Sequence, residues 1–166
     1  MVRFDPVLEL KRIVPPVDVV SELNRRFQPQ GVGYFTMIYG ILDTETREIR
    51  FCQAGHPSPL QIGRDRSIRT VGDGGFPIGL WPRMTYEETA TTLLSGERLV
   101  LYSDGILACL DPDGTPYSLE QLQRILTLHA SSPVKEMLGA IQADLEGWSQ
   151  GLTFPDDISV LVIESK

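Results

Sequence analysis

RLVLYSDG, residues 98–105, runs almost wholly apolar as far as Tyr102 and then stops on a polar Ser-Asp-Gly. A short unbroken apolar run reads as a buried central strand, because a strand covered on both faces has no solvent side to show in its alternation. The chain closes with one more apolar strand, ISVLVIE over 158–164, entered from Pro155-Asp156-Asp157. Both strands therefore carry acidic residues at an end.

Upstream of 98–105, residues 84–94 alternate through Tyr86, Thr89 and Thr91, and Ser95-Gly96-Glu97 makes a turn. This predicts a strand that pairs with 98–103. Residues 58–62 and 67–71 are expected to form a hairpin across Gly63-Arg64-Asp65-Arg66, which the Gly72-Asp73-Gly74-Gly75 run then interrupts. Residues 34–42 and 49–54 form another predicted hairpin, rich in β-branched and aromatic residues.

Three helices complete the reading. Residues 15–27 open on two prolines and place Val19, Val20, Leu23 and Phe27 on one face. Residues 118–129 begin with a capping box, Ser118 with Gln121, and 132–148 begin with Ser132 before a proline at the first helical position. With no repeat, low-complexity tract or linker, residues 1–166 read as one domain. Paired strands followed by clustered helices predict an α+β fold, with helices covering a largely antiparallel sheet.

Composition narrows the function. At 42% hydrophobic residues the chain can build one sizeable core, and 22 acidic against 15 basic residues give a net charge of −7. That balance repels polyphosphate backbones and anionic membrane surfaces, so neither a nucleic-acid nor a membrane partner is expected. No stretch approaches the about 20 apolar residues of a membrane span, and Met1-Val2-Arg3-Phe4-Asp5 lacks a signal-peptide layout. The expected location is the cytoplasm. Cys52 and Cys109 sit in apolar runs without CxxC spacing and read as buried reduced thiols.

The residues able to carry chemistry are few. Asp104, Asp156 and Asp157 stand at strand ends, where carboxylates can gather around a hard cation such as Mg²⁺ or Mn²⁺. An ordinary solvated turn explains Asp-Gly and Pro-Asp-Asp as well, and on pattern alone both readings stand. His56, in Ala54-Gly55-His56-Pro57, could be a general acid, a metal ligand or a hydrogen-bonded loop residue. His129 reads as a charge at a helix carboxyl terminus. Asp111-Pro112-Asp113-Gly114 reads as a turn, because its proline and the lack of a closing glutamate argue against a calcium loop. Gly72–Gly75, without a following Lys-Ser/Thr, reads as a flexible loop rather than a phosphate cradle.

The order of five short motifs is more specific than any one of them. Phe35-Thr36-Met37-Ile38-Tyr39-Gly40-Ile41-Leu42-Asp43, Ala54-Gly55-His56-Pro57, Pro77-Ile78-Gly79, Leu101-Tyr102-Ser103-Asp104-Gly105 and Asp156-Asp157-Ile158-Ser159 together resemble the second two-thirds of a SpoIIE/RsbU-type domain. These domains belong to the metal-dependent PPM serine/threonine protein phosphatases. The resemblance covers nearly the whole chain and implies an αββα sandwich, here incomplete at the amino terminus. It also implies hydrolysis of phosphoserine or phosphothreonine on partner proteins, typically antagonists of anti-sigma factors, with a pair of Mn²⁺ or Mg²⁺ ions. On this resemblance Asp104 and Asp156 correspond to metal ligands, while Gly105, Asp157, His56 and Gly55 lie near the site. No side chain is assigned as a catalytic group beyond those ligands.

This sequence departs from the family pattern in three places. Ser103 and Ser159 stand where the family often has Thr. More seriously, the family's Gly-Asp-x-x-Asp strand and Gly-Asp-Val-Ser-Gly-type turn should precede the helix at 17–27, and nothing there matches; Met1-Val2-Arg3-Phe4 instead resembles the end of the helix after that turn. The expectation is therefore a truncated domain with little activity by itself and an exposed sheet edge open to self-association. The alternative is a non-catalytic module that binds a sigma factor, an anti-sigma factor or its antagonist, as in response regulators of the RssB type.

Overall fold

The computed structural model describes residues 2–5, 10–29 and 33–166. The strands are β1 (Val2–Asp5), β2 (Leu10–Ile13), β3 (Met37–Leu42), β4 (Glu48–Ala54), β5 (Leu60–Ile62), β6 (Ile68–Thr70), β7 (Glu88–Thr92), β8 (Arg98–Tyr102) and β9 (Val160–Glu164). The helices are α1 (Pro16–Arg26), α2 (Gly105–Ala108), α3 (Leu119–Leu128) and α4 (Val134–Ser149). All strand pairs in the sheets are antiparallel, and the mixed α+β class follows as expected. The residues fall into two compact units, 1–56 with 72–92, and 57–71 with 93–166.

In the first unit the sheet order is β3-β4-β7, beside a separate β1-β2 pair. The β3–β4 hairpin closes where Asp43 Oδ1 accepts from the backbone N–H groups of Glu45 and Thr46, at 2.9 and 3.0 Å. Those bonds hold the Asp43 carboxyl below the usual range. Val20 of α1 packs with Cys52, Ala54, Ile78 and Tyr86. Leu23 and Phe27, expected on the buried face of this helix, are 36% and 41% exposed. The buried position is instead polar. Asn24 is 2% exposed, its amide donates to the Trp81 carbonyl at 3.0 Å, and its side-chain oxygen accepts from the Gly79 N–H at 2.9 Å. One amide thus satisfies two backbone groups and fixes α1 to the 78–81 turn.

In the second unit the order is β6-β5-β8-β9. Val100 and Tyr102 of β8 join Leu122 and Leu126 of α3, and Met137, Ile141 and Leu145 of α4, in one core. The capping box at Ser118 and Gln121 forms as read. Tyr117 donates its hydroxyl to Asp144 and lies edge-on to Trp148, with ring centroids 5.9 Å apart. Arg98 is 7% exposed; its guanidinium binds Glu164 at 2.6 Å across the β8–β9 ladder and the Ser132 carbonyl at 2.7 Å. A buried cation is tolerable here because its donors are met on several sides.

Five expectations need correction. Residues 84–94 and 98–103 do not pair: β7 pairs with β4 and β8 with β5 and β9, because a short turn can hand the chain from one sheet to another as readily as close a hairpin. Residues 2–4 are not the end of a helix but belong to β1, with Val2 opposite Ile13; so short a segment gains more from pairing than from an isolated helical turn. Met1 lies outside the described residues. The first strand starts at Met37 rather than 34, and Phe35 makes an isolated bridge to Ile78. Asp104-Gly105 opens the four-residue α2 instead of a plain turn. Finally, α4 is capped at Pro133 with no side-chain bond, not at Ser132.

Replacing Leu126 by Ala is expected to destabilise the second unit by about 2–5 kcal/mol through the cavity it leaves. Ser118→Ala should cost about 1 kcal/mol. Urea unfolding midpoints would register both. Cys52 and Cys109 are buried and free; burial, with a smaller contribution from Glu88, pushes the Cys52 thiol up to about 11, and burial also raises Cys109. Only the thiolate reacts, and it appears as pH rises through that value. Iodoacetamide at pH 8 should therefore modify neither thiol in the folded chain and both in denaturant, as counted by mass spectrometry.

Candidate functional site

The two acidic turns of the second unit meet through one serine. β8 ends at Tyr102 and β9 begins at Val160, directly opposite in register, so the segments just beyond the ladder lie side by side. Ser103 N–H donates to the Ser159 carbonyl at 3.0 Å. The Ser103 hydroxyl then accepts from the Ser159 N–H at 2.9 Å and donates to the Asp157 carbonyl at 3.1 Å. Three hydrogen bonds from one residue continue the sheet past its last strand residue and latch the Asp156-Asp157 turn to the Asp104 turn.

Gly105 makes the approach possible. A Cβ there would run into the Asp157 carbonyl oxygen and lie 3.0 Å from its carbon, and a hydrogen is all the space admits. Asp104 is the cap residue of α2 and makes no side-chain capping bond. Asp156 Oδ1 accepts from the Asp157 N–H at 2.8 Å, which fixes the direction of its carboxylate. Asp104, Asp156 and Asp157 are all exposed.

Gly55 and His56 belong to the first unit. Gly55 has φ +73°, and a Cβ would come within 2.6 Å of the Pro77 ring, so both conformation and space call for glycine. The Gln53 amide donates to the His56 carbonyl at 3.2 Å and its side-chain oxygen accepts from Gly74 at 3.4 Å. The Gly72–Gly75 loop is thereby tied to the Ala54-Gly55-His56-Pro57 motif. His129 occupies the position that ends α3, and Asp111–Gly114 is a turn, as read, whose Asp111 Oδ1 accepts from the Asp113 and Thr115 N–H groups.

The residues alone pointed to Asp104 and Asp156 as acids at strand ends, but not to the roles of Ser103 and Gly105 in joining their turns. The spacing carried no signal for them; an Ser-Asp-Gly at a strand end becomes informative only when a second strand is known to end opposite. The chemistry of the donor set suits a hard cation, since carboxylate oxygens at a sheet rim are its preferred ligands. Among the described residues no group of three or more His, Cys, Asp or Glu converges to hold a metal ion.

Comparison with known proteins places this geometry in context. The family model for Stage II sporulation protein E (SpoIIE) matches residues 8–166. The phosphoserine phosphatase RsbP of Bacillus subtilis is 24% identical over 157 residues, covering 91% of this chain and 37% of that protein. The phosphoserine phosphatase RsbU of the same organism is 26% identical over 157 residues, covering 92% and 46%. This chain thus spans less than half the length of either relative. Among solved structures, the SiaA-PP2C domain of Pseudomonas aeruginosa superposes with a TM-score of 0.76 at 20% identity, covering 92% of this chain and 60% of that one. The phosphatase domain of SpoIIE from Bacillus subtilis gives 0.65 at 18% identity, covering 90% and 62%.

Removing the Ser103 hydroxyl in Ser103→Ala leaves the Ser159 N–H and the Asp157 carbonyl to water, both being exposed, at a cost of about 0.5–1.5 kcal/mol. Ser103→Thr keeps the hydroxyl and should stay near wild type. Hydrogen exchange at Ser159 is expected to quicken in the first variant and not in the second.

Proposed function

The chain belongs to the SpoIIE family, and on that footing we propose that it is part of a bacterial phosphoserine/phosphothreonine protein phosphatase domain acting in sigma-factor regulation. The observation that carries the reading is the Ser103 latch, which sets Asp104 beside the Asp156-Asp157 turn. The proposed substrate is a phosphorylated antagonist of an anti-sigma factor, in the cytoplasm. No helix among the described residues is long and apolar enough to cross a membrane.

The proposed metal-binding carboxylates are Asp104 and Asp156, toward Mn²⁺ or Mg²⁺, with Gly105 setting their approach and Asp157 supplying the latched carbonyl. Gly55 and His56 remain candidates for positions near the site. No hydrolytic step is assigned to this chain. Its own contribution is two anionic positions held by the latch, and the 166-residue chain alone is proposed to be inactive or nearly so.

A second reading is a phosphatase-like module that binds a sigma, anti-sigma or antagonist protein without catalysis. One comparison separates the two. Mn²⁺-dependent hydrolysis of a phosphoserine protein would be measured on this chain and on a gene product extended upstream. Activity confined to the longer form, and lowered on the order of a hundredfold by Asp104→Asn or Asp156→Asn, is the expected outcome. Silence in both, with intact folding and stable binding of a regulatory partner, would instead support the non-catalytic module.

A further inference from the structure

The segment that carries Asp156 also walls a groove. Residues 153–158 run beside α4, and an open cavity of about 680 Å³ lies between them, within the about 300–1,000 Å³ range of ligand clefts. Leu138, Ile141 and Leu145 recur at helical spacing along α4 and, with Ile158, supply an apolar floor. Glu146 stands on the helix side of the rim, Asp156 and Asp157 on the other. Glu146 accepts a hydrogen bond from the neutral amide of Gln142 at 2.8 Å. Among the described residues that line the groove, none is lysine or arginine.

We propose that this groove is a docking subsite for a segment of the phosphoprotein substrate in which an apolar side chain is flanked by lysine or arginine. The inference rests on the phosphatase reading above. Charge decides the occupant. The charged side chains lining the groove are all acidic, on a chain of net charge −7, which repels an acidic segment and attracts a basic one. The phosphate group, itself an anion, is repelled from the groove. It is therefore the residues beside the phosphorylated serine or threonine that the groove takes.

The apolar floor supplies the anchor, since a single buried side chain commonly dominates a small interface. Position follows from the latch: the wall bearing Asp156 and Asp157 is bonded to Ser103, next to Asp104. An occupant of the groove lies alongside the two carboxylates.

Unphosphorylated fluorescein-labelled peptides test this without calling on catalysis. One would carry leucine between lysines, a second serine in place of that leucine, and a third glutamates in place of the lysines. Titrated with the 166-residue chain and followed by anisotropy, the first should bind saturably and the second about tenfold more weakly. The third should not bind. Glu146→Lys, an exposed position outside the latch, should weaken the lysine peptide about tenfold and admit the glutamate peptide.

Equal binding of all three peptides, no binding of the first, or no response to Glu146→Lys in a variant with unchanged circular dichroism would overturn the proposal. If discrimination fails while the longer protein still hydrolyses phosphoserine, only the groove is refuted. If hydrolysis fails while discrimination persists, the phosphatase reading falls and the groove remains as a binding surface.

Discussion

A single hydroxyl that both gives and receives a hydrogen bond holds together the part of this protein that chemistry would use. The Ser103 hydroxyl donates to the Asp157 carbonyl, 54 residues on in sequence, and accepts from the Ser159 N–H, and everything argued about Asp104 and Asp156 depends on that junction. The close approach it requires is met by the missing side chain of Gly105. A carboxylate on an exposed turn has little to hold it, so a rigid backbone beneath it is what makes its position reproducible.

Buried polar groups do the comparable task elsewhere. In the first unit the Asn24 amide fastens helix α1 to the turn at 78–81. In the second, Arg98 binds Glu164 and the carbonyl of Ser132, linking β8, β9 and the α3–α4 connection. Apolar packing around Leu122, Leu126 and Met137 supplies cohesion without direction. These polar contacts supply direction, because each is satisfied only in one arrangement.

Much of this was legible before any coordinates. Helix α3 announced itself through Ser118 and Gln121, and β8 and β9 through their apolar runs, because these signals are local. The partner of β7 was not legible, since alternation identifies a strand but says nothing of which neighbour it finds. Asn24 escaped notice because a polar residue on a helix ordinarily faces water. At the site, Asp104 and Asp156 were readable as acids at strand ends, and their family resemblance sharpened that reading. The latch was not, because a serine becomes a clasp only when the register of β8 and β9 brings Ser159 opposite it. Helix α2, four residues long, lies below the length at which periodicity carries information.

Helix α4 ends on two successive left-handed residues, Gln150 with φ 47° and Gly151 with φ 90°. Gly151 adopts this conformation freely; for Gln150 it costs roughly 1 kcal/mol. The strain is concentrated at the root of the arm that carries Asp156, whereas the far end of that arm is secured by the Ser103 bonds. Mechanically the segment is a beam sprung at one support and pinned at the other.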